Sequence, residues 1–286
     1  SSGGQATDTT RDLHGALTQL HRWYQLYERP FTDERIARQL EILDPTVEVK
    51  SSFGTAVGHE QYLAGINALP PNDKNAHQVM SAQVEVLPGG QLALSTATRY
   101  QRLQPDGTLT SIDLRYQTEL RRDSGGLPVF TKIHISPVAP SEDKEFSDVY
   151  LDNRVKSFVH YWLFLMEALD GDAEPFRELL AEDGFALHFS SSAGPMTRHE
   201  QLAAWLAAVP TQLSMSSHRV ANITFADGDE IAVSLDFDWR GQRKDGVAMK
   251  GRTHHEWKLV DTGERFLRMR EARVTVVEPL STVAAE

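Results

Sequence analysis

The sequence predicts an α+β fold built twice over in one chain of 286 residues. Three observations carry that reading. The stretch "GHEQYLAGINALPP" at 58–71 is nearly repeated as "RHEQLAAWLAAVP" at 198–210. Within each copy, helical periodicity gives way once to period-two alternation broken by Gly and Asp turns. The length also suits two domains, at about 100–200 residues each.

Residues 44–70 align without a gap to 184–210, sharing Ser51/Ser191, Ser52/Ser192, Gly54/Gly194, His59/His199, Glu60/Glu200, Gln61/Gln201 and Pro70/Pro210. The echo continues from His77 ("HQVMSAQVEV") to His218 ("HRVANITFAD"), and from "QLALSTATRYQ" to "EIAVSLDFDWR". The turn Asp106-Gly107 answers Asp245-Gly246, and "RYQTEL" answers "HHEWKL". A duplicated unit of about 130 residues accounts for all of these matches. The polar, Pro-containing stretch at 137–148 reads as a linker. The resulting division is a flexible N-terminal tail (1–11), a first domain (12–138), a linker (139–149), a second domain (150–278) and a C-terminal tail (279–286).

The elements follow in order, most clearly in the second copy. Phe158, Trp162, Leu165, Met166 and Leu169 recur at three- and four-residue spacing and mark an amphipathic helix. A second helix is expected over "DGDAEPFRELLAED", with Asp172 as cap and Pro175 in the first turn. After a short strand (185–189), Thr197 and Glu200 form a T-x-x-E capping box that opens a third helix, and Pro210 closes that region. Three or four antiparallel strands fill the rest. Helices followed by a meander imply α+β layer packing.

Composition narrows the function. A net charge of -11 argues against nucleic acid, since phosphate binding needs a basic face. The absence of cysteine excludes thiol catalysis, disulfides, iron–sulfur clusters and cysteine-ligated zinc. The longest apolar run, 158–169, is too short to span a membrane and holds His160 and Glu167. The start of the chain has no basic segment leading into an apolar core, so no signal peptide is read and the cytoplasm is the expected location.

On the stretches 164–189 and 198–210, and on the H-x-V strand openings at His77 and His218, the chain resembles the nuclear transport factor 2-like superfamily, in its SnoaL-like polyketide-cyclase branch. The resemblance implies two tandem cone-shaped domains, each with N-terminal helices packed on a curved antiparallel sheet around an apolar pocket. It also implies that the two domains pair as an internal pseudo-dimer. Ketosteroid isomerases, scytalone dehydratases, polyketide cyclases, limonene epoxide hydrolases and binding modules share this superfamily. Fold does not choose among them, and the site must.

The repeated His-Glu pair is no zinc motif. H-E-x-x-H needs a second histidine, and Leu63 and Ala203 stand in its place. The first-strand carboxylate that the isomerases and tandem epoxide hydrolases use as a base maps to Val49 and Phe189, neither of which takes a proton. The isomerase-type tyrosine maps near Tyr24 and onto Phe164. His77 and His218 hold the position where the dehydratase branch carries a catalytic histidine, and imidazole suits acid–base work near neutrality. By strand parity His255, Trp257 and Leu259 share the apolar, inward face, and Tyr116 is the repeat partner of His255. Parity turns Asp236, Asp238, His188 and Asp113 outward.

The expected catalytic groups are therefore His77 with Tyr116 and His218 with His255. Tyr24, Tyr100, Phe164, Phe189, Trp239 and Trp257 are expected to bind substrate. The expected partner is a small, largely apolar molecule, transformed without cofactor or metal by lyase, isomerase or cyclase chemistry. No nucleic acid or membrane partner is expected. A non-catalytic ligand-binding or assembly module is the alternative, and an epoxide hydrolase or cyclase similar to the tandem polyether enzymes is a further one.

Overall fold

The computed structural model describes residues 2–283. The chain forms two compact units: Asp12–His160, and a second made of the chain up to Arg11 with the chain from Tyr161 onward. Both cuts fall inside long helices, not in the linker.

The first unit contains most of α1 (Ser2–Tyr27), then α2 (Asp33–Glu41), β1 (Leu43–Ser51), β2 (Gly54–Val57), α3 (Gly58–Asn67), β3 (Lys74–Val86), β4 (Leu92–Leu103), β5 (Leu109–Asp123) and β6 (Gly126–Pro140). Its six-stranded sheet runs β2-β1-β6-β5-β4-β3. Thr32 opens α2 by accepting the Arg35 N–H, with Asp33 and Glu34 set against the helix dipole. The hairpin between β4 and β5 turns at Gly107 with φ 89°, a conformation open to glycine. The core gathers Leu20, Trp23, Leu94, Leu120, Phe130 and Ile133 between α1 and the sheet.

The second unit holds the end of α4 (Tyr150–Met166), a 3₁₀ turn (Glu174–Leu179), β7 (Ala186–His188), α5 (His199–Ala208), a second 3₁₀ turn (Val209–Thr211), β8 (Leu213–Ala226), β9 (Ile231–Arg243), β10 (Ala248–Val260) and β11 (Arg268–Thr282). Its sheet runs β7-β11-β10-β9-β8, the order of the first sheet without β2. Trp162, Phe176, Leu187, Val233, Leu259 and Phe266 are all buried here.

The two sheets agree in register as well as in order. His77 faces Tyr100 across β3 and β4, and His218 faces Trp239 across β8 and β9. Tyr116 faces Thr96, and His255 faces Leu235. Each sheet has a bulge at the same place, two residues past its histidine, between Val79 and Ser81 and between Val220 and Asn222. One extra residue, Met80 or Ala221, is inserted there, and the inward row changes parity beyond it. Val79 packs on the core before the bulge, and Ala82 and Val84 do so after it.

Several expectations change. Both sheets are mixed, because β1 pairs parallel with β6 and β7 pairs parallel with β11. A first strand that joins the last strand of a meander must arrive by a crossover, and a crossover permits parallel pairing. Residues 2–11, expected as a tail, form the start of α1, and within it Thr10 bonds Ser217 and Arg11 bonds the Phe164 carbonyl. β11 continues through Thr282, past the expected domain end at 278. The second helix of the second copy shortens to a 3₁₀ turn, although Asp172 still accepts the Glu174 N–H at its start. The linker is irregular after Pro140 and is fastened down: Gln101 accepts the Ser147 N–H and donates to the Glu145 carbonyl.

The capping assignment also shifts by one residue. Gln201, not Glu200, closes the start of α5, its side-chain oxygen accepting the N–H groups of Thr197 (2.8 Å) and Arg198 (3.0 Å). Gln61 does the same for the Val57 N–H at 2.8 Å, and His59 donates to the Leu43 carbonyl at 2.9 Å. In both copies the repeated H-E-Q stretch holds a helix start in place.

Candidate functional site

In the second unit the site begins at the end of α4. Glu167 follows the last helical residue, and its N–H still reaches the Leu163 carbonyl at 3.0 Å. Its side chain is 0% exposed, and its Oε2 accepts the main-chain N–H of His218 at 2.8 Å. The same oxygen lies 3.0 Å from His218 Nδ1. With Oε2 as the acceptor in this contact, the proton lies on Nδ1 and the lone pair on Nε2. The His218 side chain retains 18% exposure, which leaves it within reach of solvent.

The neighbours of His218 are set by strand geometry. Trp239, directly across on β9, donates its indole N–H to Ser216 Oγ at 3.0 Å. The indole lies over Gly241, where an added Cβ would come within 2.2 Å of the ring. His255 on β10 packs on Phe237 with ring centroids 4.5 Å apart, and Phe237 also meets the His218 ring at 5.9 Å. The two imidazoles therefore flank one phenyl ring. Burial lowers the pKa of His255 to about 3, and the His218 ring adds to the effect. His255 is neutral at ordinary pH, and its Nε2 shares a 2.8 Å hydrogen bond with Thr253 Oγ1.

The first unit repeats the plan in closed form. Glu28 Oε2 accepts the His77 main-chain N–H at 2.8 Å, while the His77 ring Nδ1 stands 3.5 Å from the same oxygen. Asn153 donates to Glu28 Oε1 at 2.8 Å and to the His77 carbonyl at 3.1 Å, and its own oxygen meets His21 Nδ1 at 2.7 Å. Tyr24 stacks on His77 at 4.7 Å, and Tyr100 and Tyr27 stand at 5.2 and 5.9 Å. Tyr24 also meets Tyr116 edge-on at 5.3 Å and shares a 2.8 Å hydrogen bond with Thr98. His77, Tyr24 and Tyr116 are all buried. Burial raises the pKa of the Tyr116 and Tyr24 phenols above the ordinary value, so both keep their protons.

The remaining candidate side chains separate by exposure. Trp257 is buried against Trp162, and Phe164 is buried beneath the Arg11 guanidinium. Phe189 is half-buried and meets Trp205 edge-on at 4.8 Å, while Tyr100 donates to Asn75 at 3.0 Å. The outward-facing groups pair with one another. His254 lies between Asp236 (2.8 Å) and Glu256 (2.6 Å), which raise its pKa, Asp236 contributing more. Asp113 accepts from Arg99, Asp238 from Arg219, and His188 stands 3.9 Å from Glu271.

Glu28 and Glu167 are the carboxylates beside the two candidate histidines that sequence reasoning did not single out. One lies 49 residues before its histidine and the other 51. The repeat could have found them, because each is a carboxylate at the end of its copy's leading helix, and Glu167 interrupts an otherwise apolar run.

No family model matches this chain, and no curated protein matches it. Solved structures resemble it over rather less than half its length. A nuclear transport factor 2-like superfamily protein from Salmonella enterica is 10% identical, covering 46% of this chain and 93% of its own, with a TM-score of 0.40. ActVI-ORFA from Streptomyces coelicolor is 10% identical over 43% of this chain and 94% of its own, with a TM-score of 0.36. A hexachlorocyclohexane dehydrochlorinase (LinA, type 2) is 14% identical over 46% of this chain and 90% of its own, with a TM-score of 0.39. Among the described residues, no helix is long and apolar enough to cross a membrane.

Proposed function

We propose that the chain is a tandem nuclear transport factor 2-like protein of the SnoaL-like kind, whose second unit performs proton-transfer chemistry on a small, largely apolar molecule. The observation that carries this is the His218–Glu167 pair: a buried carboxylate locking one face of an imidazole that keeps a small exposed edge, with a second, neutral imidazole beyond Phe237. Nε2 of His218 takes a proton from carbon or oxygen of the bound molecule. Glu167 stabilises the imidazolium that forms, and the same nitrogen returns the proton to a leaving group or a shifted carbon. His255, neutral through burial, orients a polar group of the substrate without adding charge. Trp239 and Phe237 supply an aromatic wall, and Phe189 extends it if the substrate is larger. That sequence of steps serves elimination, isomerisation and aldol-type cyclisation alike.

The first unit reads differently. His77 is enclosed by Tyr24, Tyr27 and Tyr100, and its partner Glu28 is held by Asn153, so His77 and Tyr116 stand as a packed polar core rather than an open acid–base pair. The unit is a supporting or ligand-holding module in this reading.

The test is to incubate the full chain with a small-molecule extract and follow consumed species by mass spectrometry. Wild type and His77→Ala should consume the same compound, and His218→Asn should leave it untouched. Equal consumption by His218→Asn would refute the assignment.

A further inference from the structure

The second unit includes the N-terminal part of α1, and with it Thr10 and Arg11. Arg11 Nε donates to the Phe164 carbonyl at 3.0 Å, and its guanidinium lies 3.8 Å over the Phe164 ring. Phe164 belongs to the last turn of α4, whose final carbonyls have no helical N–H to accept. A cation at a helix C-terminus is favourable on dipole grounds, and one that also hydrogen-bonds a terminal carbonyl fixes the turn itself. The residue that leaves this turn is Glu167. Leu169, two residues on, takes the left-handed conformation with φ 51°, so the chain reverses within one turn of the carboxylate. Thr10 Oγ1 meets Ser217 Oγ at 2.9 Å, holding the strand residue that precedes His218. The two contacts fall three residues before Glu167 and one residue before His218.

We propose that Arg11, with Thr10, is a positioning residue of the His218 site: the start of α1 caps the end of α4 and thereby sets Glu167 against the imidazole. The inference rests on the reading of His218 as the working base, but its geometry can be tested without any substrate. The first unit caps its leading helix from within, since Arg35 of α2 donates to the Gln25 and Leu26 carbonyls at the end of α1. The second unit takes its capping arginine from the N-terminal segment instead.

The experiment uses the full chain with histidine side chains labelled with nitrogen-15. In the wild type the His218 ring should show the Nδ1-protonated, carboxylate-bonded pattern. Arg11→Met keeps the aliphatic packing and removes the donors. It should broaden or shift the His218 ring signals while leaving those of His77 in place, and Arg11→Lys should restore part of the pattern. Once a substrate is known, Arg11→Met should also lower kcat by roughly tenfold, a fraction of what a positioned base supplies, with KM nearly constant. His218 signals identical to wild type in Arg11→Met would overturn the proposal. Should Arg11→Met fail to fold, Arg11→Gln takes its place, and unchanged signals there overturn it equally. If the signals move as expected but His218→Asn still consumes substrate, the positioning stands and the functional assignment alone fails.

Discussion

Glu167 spends two acceptor interactions of one oxygen on a single residue, the backbone and ring of His218, and so fixes both where the histidine sits and which way its ring faces. Linking two residues 51 positions apart is beyond periodicity analysis, so alternation alone places His218 on its strand without pairing it to its carboxylate. His255 was legible for a simpler reason: alternation along β10 places it with Trp257 and Leu259, and all three lie on the core side. The sequence could not show that burial strips His255 of its charge, because desolvation is a property of the packed state. Trp239 is the residue-scale feature most open to test. Its indole occupies the space above Gly241, so Gly241→Ala forces the ring aside or shifts the strand, at a cost of about 1–3 kcal/mol. The expected outcome is a lowered Tm and a shifted tryptophan emission maximum. An unchanged spectrum would place the indole elsewhere.

At the scale of elements, the meanders were readable because each strand is long, half-buried and ended by a Gly-containing turn, as at Gly107 and Gly246. The stretch 174–179 was misread as a full helix. Its cap and proline signals are genuine, but tertiary packing of Phe176 and Leu179 sustains only a 3₁₀ turn. The parallel pairing of β1 with β6 and of β7 with β11 was invisible, since no local signal specifies a strand's distant neighbour. The bulges were equally hidden, yet they decide what alternation means in β3 and β8. Deleting Ala221 would remove the extra residue opposite Phe237 and Asp236. With the far half of β8 held in register, His218 would be carried to the opposite face of the sheet. The variant should lose the Glu167-bonded His218 ring signal and destabilise the protein by several kcal/mol, whereas deleting a residue of the 227–230 turn should spare that signal.

At the scale of the whole molecule, the buried histidines predict how the chain responds to acid. Burial lowers the pKa of His21 to about 4 and also lowers that of His160, with His14 adding repulsion at His160. A histidine whose folded pKa lies below its unfolded value of 6.5 binds its proton more readily when unfolded. Its stabilising contribution is complete above pH 6.5 and is lost as pH falls toward 4, at roughly 1.4 kcal/mol per unit of pKa difference. Thermal melts from pH 7.5 to 4.5 should show a falling Tm, and His21→Gln should flatten the slope. A Tm independent of pH over that range would contradict the burial of these rings. The repeat read from the sequence and the units formed by the chain are also offset from each other, and that offset has a practical meaning. The linker looks like the natural place to divide the molecule, yet the compact units change over at Arg11/Asp12 and at His160/Tyr161. A gene cut at the linker would give an N-terminal fragment missing the Asn153 that holds Glu28, and a C-terminal fragment missing the Arg11 that holds α4. The boundaries of the compact units lie within helices, so any circular permutant or isolated half should be designed around the helices and not around the linker.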